Sequence, residues 1–321
     1  MKGPLYTEVF KEAWHMMWHH KKLLWFGLLA SFIGSASVFE FLIKAYYRLR
    51  LEYAPSSNVL VSVWSTIIET SASQPGKAVA MASSLLVAST IIFLFLLYFF
   101  VNAQGTLITA SAAYLKNKKN IDLKETWNTA RERFWPLFGV NVLRMFLLFG
   151  FLVSLTYPLI AFVDPGQKIM RWGSALILTI LILLVGTIIS FIGLYAGNYV
   201  MLHGDGFVKS IHKAFSLFCK HWLVSCEAGL LMLLANIAAL IIAVTASVLV
   251  MVPLAFLTIF YLLSSGSILL IPILLLTVFL FVVIGFVIAA YTTWVVSAWT
   301  SLFLHMDRGA LLSRVLHWTR K

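Results

Sequence analysis

Long apolar runs alternate with short polar segments along the whole chain. The runs cover about 23–46, 79–113, 135–163, 172–202, 222–262 and 268–303. Each is long enough to supply the roughly 20 apolar residues that a membrane-spanning helix needs. Between Glu227 and Asp307 the chain has no Asp, Glu, Lys or Arg, so this stretch alone holds at least two spans. The pattern predicts an all-α membrane protein with about six transmembrane helices.

Two prolines fall in the last two runs. Pro253 lies inside the fifth run and Pro272 lies near the start of the sixth. Because proline has no backbone N–H to donate, we expect each of them to bend or interrupt its helix. The fifth and sixth runs, 222–262 and 268–303, could also be divided into spans at another position.

The same short phrase precedes the first, third and fifth runs. Its copies are Phe10-Lys-Glu-Ala-Trp14, Leu123-Lys-Glu-Thr-Trp127 and Ile211-His-Lys-Ala-Phe215, and six residues after each come His20, Arg133 and His221. Each copy places apolar residues on one helix face and polar residues on the other. In the third copy, for example, Phe207, Ile211, Ala214, Phe215 and Phe218 oppose Lys209, Ser210, His212, Lys213 and Ser216. We predict three amphipathic helices at the membrane interface, with their basic faces toward water.

The phrase divides a single integral membrane domain, residues 1–321, into three pseudo-repeats. These cover about 5–113, 121–203 and 207–303, and an amphipathic cytoplasmic tail follows at 304–321. Each unit combines an interfacial amphipathic helix with a helical hairpin. Repeats in membrane proteins often accompany a pseudo-symmetric bundle with a site at the repeat interface. The other interpretation is a duplicated hairpin whose copies only pack together.

Composition and charge agree with a membrane location. Of the residues, 61% are hydrophobic and 11% are charged, whereas soluble domains carry about 25% charged residues. The net charge is +12, and 17 of the 24 Lys and Arg fall on the side of the bundle that holds the N-terminus. Because basic residues mark cytoplasmic loops, both termini are predicted to be cytoplasmic. Anionic lipid explains the same charge, so no nucleic-acid partner is expected.

The basic residues of the interfacial helices are the predicted contacts to anionic lipid in the cytoplasmic leaflet. They are Lys11, Lys21, Lys22, Lys124, Arg131, Arg133, Lys209, Lys213 and Lys220.

A second candidate site is intramembrane and polar. Arg144 stands about ten residues into the third run, which is roughly 15 Å deep, and a charge there is costly unless it is paired or hydrated. Glu227 is near the start of the fifth run, and Asn141 is three residues before Arg144. We predict that Arg144 pairs with Glu227. Such a pair either fixes the register of two units or lines a path for a lipid or solute.

The sequence has no pattern that specifies a reaction. It lacks a serine nucleophile elbow, a Walker loop, an HExxH motif and a carboxylate pair. His15 and His19 have helical spacing, but a metal needs further ligands. The protein is therefore predicted to be non-enzymatic, with no cofactor and no metal. We expect a multi-pass envelope protein that interacts with lipid, or assembles with a membrane-protein partner or a second copy. The alternative is a small-solute or lipid transporter or channel that uses Arg144 and Glu227.

The repeated phrase, the six-run layout and the length resemble a poorly characterised group of bacterial membrane proteins. This group is related to the membrane domain that precedes some glycerophosphodiester phosphodiesterases. The resemblance covers most of the chain, and it rests on the architecture and on the Phe10-Lys-Glu-Ala-Trp14 type of phrase. It implies a fold and a bacterial cytoplasmic (inner) membrane location. It implies no activity, because no segment here can hold the phosphodiesterase domain.

Overall fold

The computed structural model describes residues 6–34, 75–117, 121–162, 168–264 and 270–307. Within these ranges the chain is helical, with no strand. The helices are α1 (Tyr6–His19), α2 (Leu23–Gly34), α3 (Pro75–Asn117), α4 (Leu123–Glu132), α5 (Phe134–Phe162), α6 (Lys168–His203), α7 (Phe207–Lys220), α8 (Trp222–Ser264) and α9 (Leu270–Asp307). The predicted all-α fold class is confirmed for the described part of the chain.

Five helices of the described part, namely α3, α5, α6, α8 and α9, are long and apolar enough to cross a membrane. The shorter helix α2 is also apolar, and the rest of the first predicted span lies outside the described residues, as does the tail beyond Asp307. The number of six spans therefore stays a prediction. The division between the last two runs agrees with the structure, since α8 ends at Ser264 and α9 begins at Leu270.

Neither proline interrupts its helix. Pro253 lies inside α8, which is continuous from Trp222 to Ser264. Of the two expected outcomes, an interruption is wrong there, and a bend stays a prediction. Pro272 is the third residue of α9, where a missing N–H costs little because the first turn of a helix has no internal acceptors for its donors.

The helices α1, α4 and α7 form where the repeated phrase predicts them. The start of α4 is set by Asp122, whose side chain accepts hydrogen bonds from the backbone N–H groups of Lys124 (2.8 Å) and Glu125 (3.4 Å). This N-cap satisfies donors that a helix start leaves without a partner.

The fourth residue of each phrase copy is the one that packs against the bundle. Ala13, Thr126 and Ala214 are 3%, 7% and 0% exposed. The aromatic residue that follows is exposed in two copies, with Trp14 and Phe215 at 53% each. The fourth residue of each copy is therefore a small side chain buried against the bundle, while Trp14 and Phe215 lie outside that buried side.

Ser210 corrects the predicted faces of α7. We expected it on the water-facing side, but it is fully buried. Its hydroxyl donates to the backbone carbonyl of Asp205 at 3.2 Å. A small hydroxyl side chain that satisfies its own hydrogen bond is buried at low cost.

The helices α3, α6 and α9 contact one another, and the other helices surround them. Among the interfacial helices, α1 packs on α9, α4 on α3 and α7 on α6. Of the helices that follow them, α2 packs on α3 and α9, α5 packs mainly on α6 and also on α3, and α8 packs on α9. The largest buried cluster lies where α3, α6 and α9 end, and it includes Tyr195, Val200 and Phe303.

Close packing brings α2 against α9. A Cβ atom on Gly27 would lie 2.5 Å from the carbonyl oxygen of Ala289. The Thr293 hydroxyl also approaches the Leu23 carbonyl at 3.4 Å. Small residues allow membrane helices to approach in this way, so Gly27 fixes the position of α2 on α9.

Candidate functional site

An apolar groove of about 520 Å³ separates α2 from α9 on one side of their contact. Its α2 wall consists of Leu24, Trp25 and Leu28, and its α9 wall consists of side chains between Val278 and Ala289. Gly285 forms part of the floor, because a Cβ there would meet only Leu28, at 3.8 Å. The volume is within the range of small-molecule sites, and the walls suit an apolar chain.

A basic cavity of about 660 Å³ lies at the corner between α1 and α2. The corner itself contributes four consecutive basic residues, His19, His20, Lys21 and Lys22, and the start of α4 contributes Lys124. These donors converge with the N-terminus of α4, which carries partial positive charge. The arrangement suits an anionic group such as a phosphate.

Two further groups in this cavity modify its charge. Among the described residues of the lining, Asp122 is the only acidic one. Its carboxylate already accepts two backbone N–H groups of α4. Burial, with the neighbouring His19, lowers the pKa of His20. This lowering favours the neutral form of His20, and Lys21, Lys22 and Lys124 carry positive charge in the cavity.

Lys21 joins the groove and the cavity, because its side chain lines both. The apolar walls thus lead to a basic mouth at the level of the α1–α2 corner. An amphipathic molecule with an apolar chain and an anionic head matches this pair of spaces. The chemistry offered is binding and charge neutralisation.

The predicted lipid contacts fall into two groups. Seven of them are exposed: Lys11, Lys21, Lys22, Lys124, Arg131, Lys209 and Lys220. The other two, Arg133 and Lys213, are half-buried and bind protein groups. Arg133 donates to the backbone carbonyls of Val200 and Met201 near the end of α6, so this cation stabilises the C-terminus of that helix.

The predicted intramembrane residues have partners in the bundle. The Arg144 guanidinium donates to the Ile33 carbonyl at 2.9 Å, and the stem of its side chain packs on Gly193. The Asn141 amide donates to the Gln104 side-chain oxygen at 2.8 Å. Glu227 is half-buried on α8 and has at least one interaction partner. Its pairing with Arg144 stays a prediction.

A third cavity, of about 630 Å³, lies between α6, α7 and the end of α9. We name it the α6–α7–α9 cavity; its polar lining is Tyr199, His203, His212, Lys213, Ser216, Lys220, His221 and Asp307. The Asp307 carboxylate accepts from the Tyr199 hydroxyl at 3.1 Å and lies 3.4 Å from His203 Nε2.

Next to this cavity, Asp205 binds Lys213 at 2.6 Å and Lys209 at 2.9 Å. The hydrogen bonds to Lys213 and Lys209 lower the pKa of the Asp205 carboxyl group. Burial, with the neighbouring Lys220, lowers the pKa of His221.

The groove is the element that the sequence did not predict. Its floor depends on Gly285, and its other wall depends on Leu24 and Leu28, which are about 260 residues away in the chain. The only local signal was a cluster of basic residues, His19 to Lys22, directly before an apolar run.

Comparison of this chain with protein-family models, curated proteins and solved structures gives no match.

Proposed function

We propose that the protein is a non-enzymatic multi-pass membrane protein that binds an anionic lipid in the α2–α9 groove. The observation that carries the proposal is the position of Lys21, which lines both the apolar groove and the basic cavity. A lipid of the cytoplasmic leaflet has an apolar chain for the first space and an anionic phosphate for the second. Lys22 and Lys124 add charge around the head group, and each such cation near an anionic surface contributes about 1 kcal/mol.

The proposed setting is the bacterial inner membrane, with both termini cytoplasmic and three structural repeats. The contacts support the repeats, since each interfacial helix packs on the final helix of the preceding unit in a cyclic order: α4 on α3, α7 on α6 and α1 on α9. The corner residues support them too. His20 contacts Tyr114 near the end of α3, Arg133 binds the end of α6, and His221 shares a cavity with Asp307 at the end of α9.

Lipid binding is tested with the purified full-length chain in nanodiscs that contain phosphatidylcholine and a photoactivatable phosphatidylglycerol. We expect crosslinks to α2 and α9. Lys21→Gln should lower crosslinking about fivefold, because one favourable charge of about 1 kcal/mol is lost. Lys77→Gln is the matched control, since Lys77 is exposed near the start of α3 and lines neither the groove nor the cavity.

The apolar half of the site has its own test. Gly285→Phe should fill the groove and abolish most of the crosslinking. Gly150→Phe is the control, because a Cβ at Gly150 would meet nothing within 4 Å. Unchanged crosslinking in both Lys21→Gln and Gly285→Phe would refute the proposed site.

The orientation is tested with the native thiols. Cys219 and Cys226 are free and exposed. In the Cys226→Ser background, an impermeant maleimide should label Cys219 in inside-out vesicles and spare it in intact spheroplasts. The opposite pattern would place α7 on the outer side and contradict the topology.

A further inference from the structure

The α6–α7–α9 cavity has two walls of opposite charge. One wall belongs to α7 and carries His212, Lys213 and Lys220. The other wall carries Asp307 at the end of α9, together with the C-terminal end of α6 at His203. Helix C-termini carry partial negative charge, so this second wall attracts cations.

Both walls retain capacity for a ligand. The Lys213 ammonium has three N–H groups. It binds the Asp205 carboxylate at 2.6 Å and lies over the face of the Tyr199 ring, 5.5 Å from the ring centre. Asp307 accepts from the Tyr199 hydroxyl and lies near His203, while a carboxylate offers about four acceptor positions. Lys220 is exposed at the rim.

The second repeat shows what such a corner binds. There the guanidinium of Arg133 lies against the end of α6 and donates to the Val200 carbonyl. The repeated phrase matches Arg133 with His221, which has a shorter side chain, and at this corner the space of about 630 Å³ remains. A ligand amine here would occupy the place at α9 that the Arg133 cation occupies at α6.

We propose that the α6–α7–α9 cavity binds a zwitterionic group that carries a phosphate and a primary amine, as phosphoethanolamine does. The phosphate lies against Lys213, Lys220 and His212, and the ammonium lies against Asp307. The source is either the head group of a lipid or a soluble phosphoamine. The inference does not depend on the α2–α9 groove, because the two sites share no lining residue.

The test is calorimetric titration of the full-length chain in a neutral maltoside detergent. Phosphoethanolamine should bind at least tenfold more tightly than inorganic phosphate or ethanolamine, because each of these fills only one wall. Asp307→Asn should lower the affinity for phosphoethanolamine about tenfold and leave that for phosphate unchanged or higher. Lys220→Gln should weaken both. Lys77→Gln should weaken neither, because Lys77 is exposed near the start of α3 and does not line this cavity. Equal affinity for phosphate and phosphoethanolamine, or no effect of Asp307→Asn, overturns the proposal.

A second measurement uses the unsubstituted chain, so its result does not depend on whether a variant folds. Phosphocholine has a quaternary amine that donates no hydrogen bond to Asp307, so it should bind several-fold more weakly than phosphoethanolamine. Equal binding of the two overturns the assignment of the amine to Asp307.

Nanodiscs identify the source. If discs of phosphatidylethanolamine block the soluble ligand and discs of phosphatidylcholine do not, the occupant is a lipid head group. If the soluble ligand binds in both, the occupant is a soluble phosphoamine. Each of these two results requires that the phosphate and the amine bind opposite walls of the cavity, and so each supports the proposal. If phosphoethanolamine binds in neither disc type, the proposal is overturned.

Discussion

Side chains are buried where α3, α6 and α9 end, whereas large apolar side chains are exposed toward the starts of α3 and α9 and in the middle of α5. We call residues 101–112, 191–201 and 288–306 the packed end, and residues 79–96, 142–150 and 271–286 the exposed end. The packed end buries small and polar residues such as Asn102, Ser111 and Thr300. The exposed end presents residues such as Ile91, Phe146 and Phe281, which are 62% to 72% exposed.

The difference follows from the solvent of each surface. In lipid, an exposed leucine or phenylalanine loses nothing, so apolar area does not drive helices together. Close contact and hydrogen bonds between helices do, and these occur at the packed end. Ser111 donates to Ser297 at 3.1 Å, and the Tyr195 and Ser225 hydroxyls lie 2.8 Å apart. The packed end therefore contributes most to the fold. The exposed apolar side chains of the other end are expected to tolerate substitution, unlike Arg144, which binds the Ile33 carbonyl.

The largest effect is expected from adding volume at Gly27. Gly27→Leu forces a side chain into the Ala289 backbone, and we expect a loss of about 3 kcal/mol or more. Gly150→Leu at the exposed end is the control, since a Cβ there meets nothing within 4 Å. Thermal unfolding of the detergent-solubilised chain measures both. Equal melting temperatures of the two variants would show that the packed end and the exposed end tolerate added volume equally well.

Arg144 comes next. Arg144→Leu leaves the Ile33 carbonyl without its 2.9 Å donor, and we expect a cost of about 1–3 kcal/mol. A double-mutant cycle with Glu227→Leu tests the predicted ion pair. If the two residues pair, the double variant recovers part of the loss. Additive losses would contradict the pair and leave Arg144 as a link to α2 alone.

The Asn141–Gln104 hydrogen bond has a smaller expected effect. Asn141→Leu should cost about 0.6–1.7 kcal/mol, as interhelical hydrogen bonds in membrane proteins do. Ser154→Ala is the matched control, because the Ser154 hydroxyl binds only the Phe151 carbonyl of its own helix and is exposed. A larger loss for Ser154→Ala would reverse the expected order.

The smallest effect concerns pH. Burial lowers the pKa of His20 and His221, so the folded state takes up protons on these groups less readily than the unfolded chain. The free energy of unfolding should therefore fall as the pH drops below 6.5, the ordinary pKa of histidine. The double variant His20→Gln, His221→Gln should show a shallower fall in melting temperature between pH 7 and 5. An unchanged slope would show that His20 and His221 do not contribute to the pH dependence of the melting temperature.

The helices could be predicted from the sequence because their signals are local. Apolar runs and the Asp122 cap depend on neighbouring residues, and so α5, α6, α8 and α9 lie close to the predicted ranges. The inward side of α7 could not be predicted, because the burial of Ser210 depends on its bond to Asp205 and on the approach of α6. The candidate site was predicted in part: Lys21 and Lys22 were identified as lipid contacts, but the groove depends on α2 meeting α9.

That contact between α2 and α9 has a consequence for biosynthesis. The Thr293 hydroxyl and the Leu23 carbonyl are 270 residues apart, and Trp294 reaches the Phe10 carbonyl across 284 residues. The ribosome makes the N-terminal helices first, so α1 and α2 are synthesised long before their partner exists. A chain that stops before residue 288 would lack the α9 residues, Ala289 and Thr293, that cover Gly27.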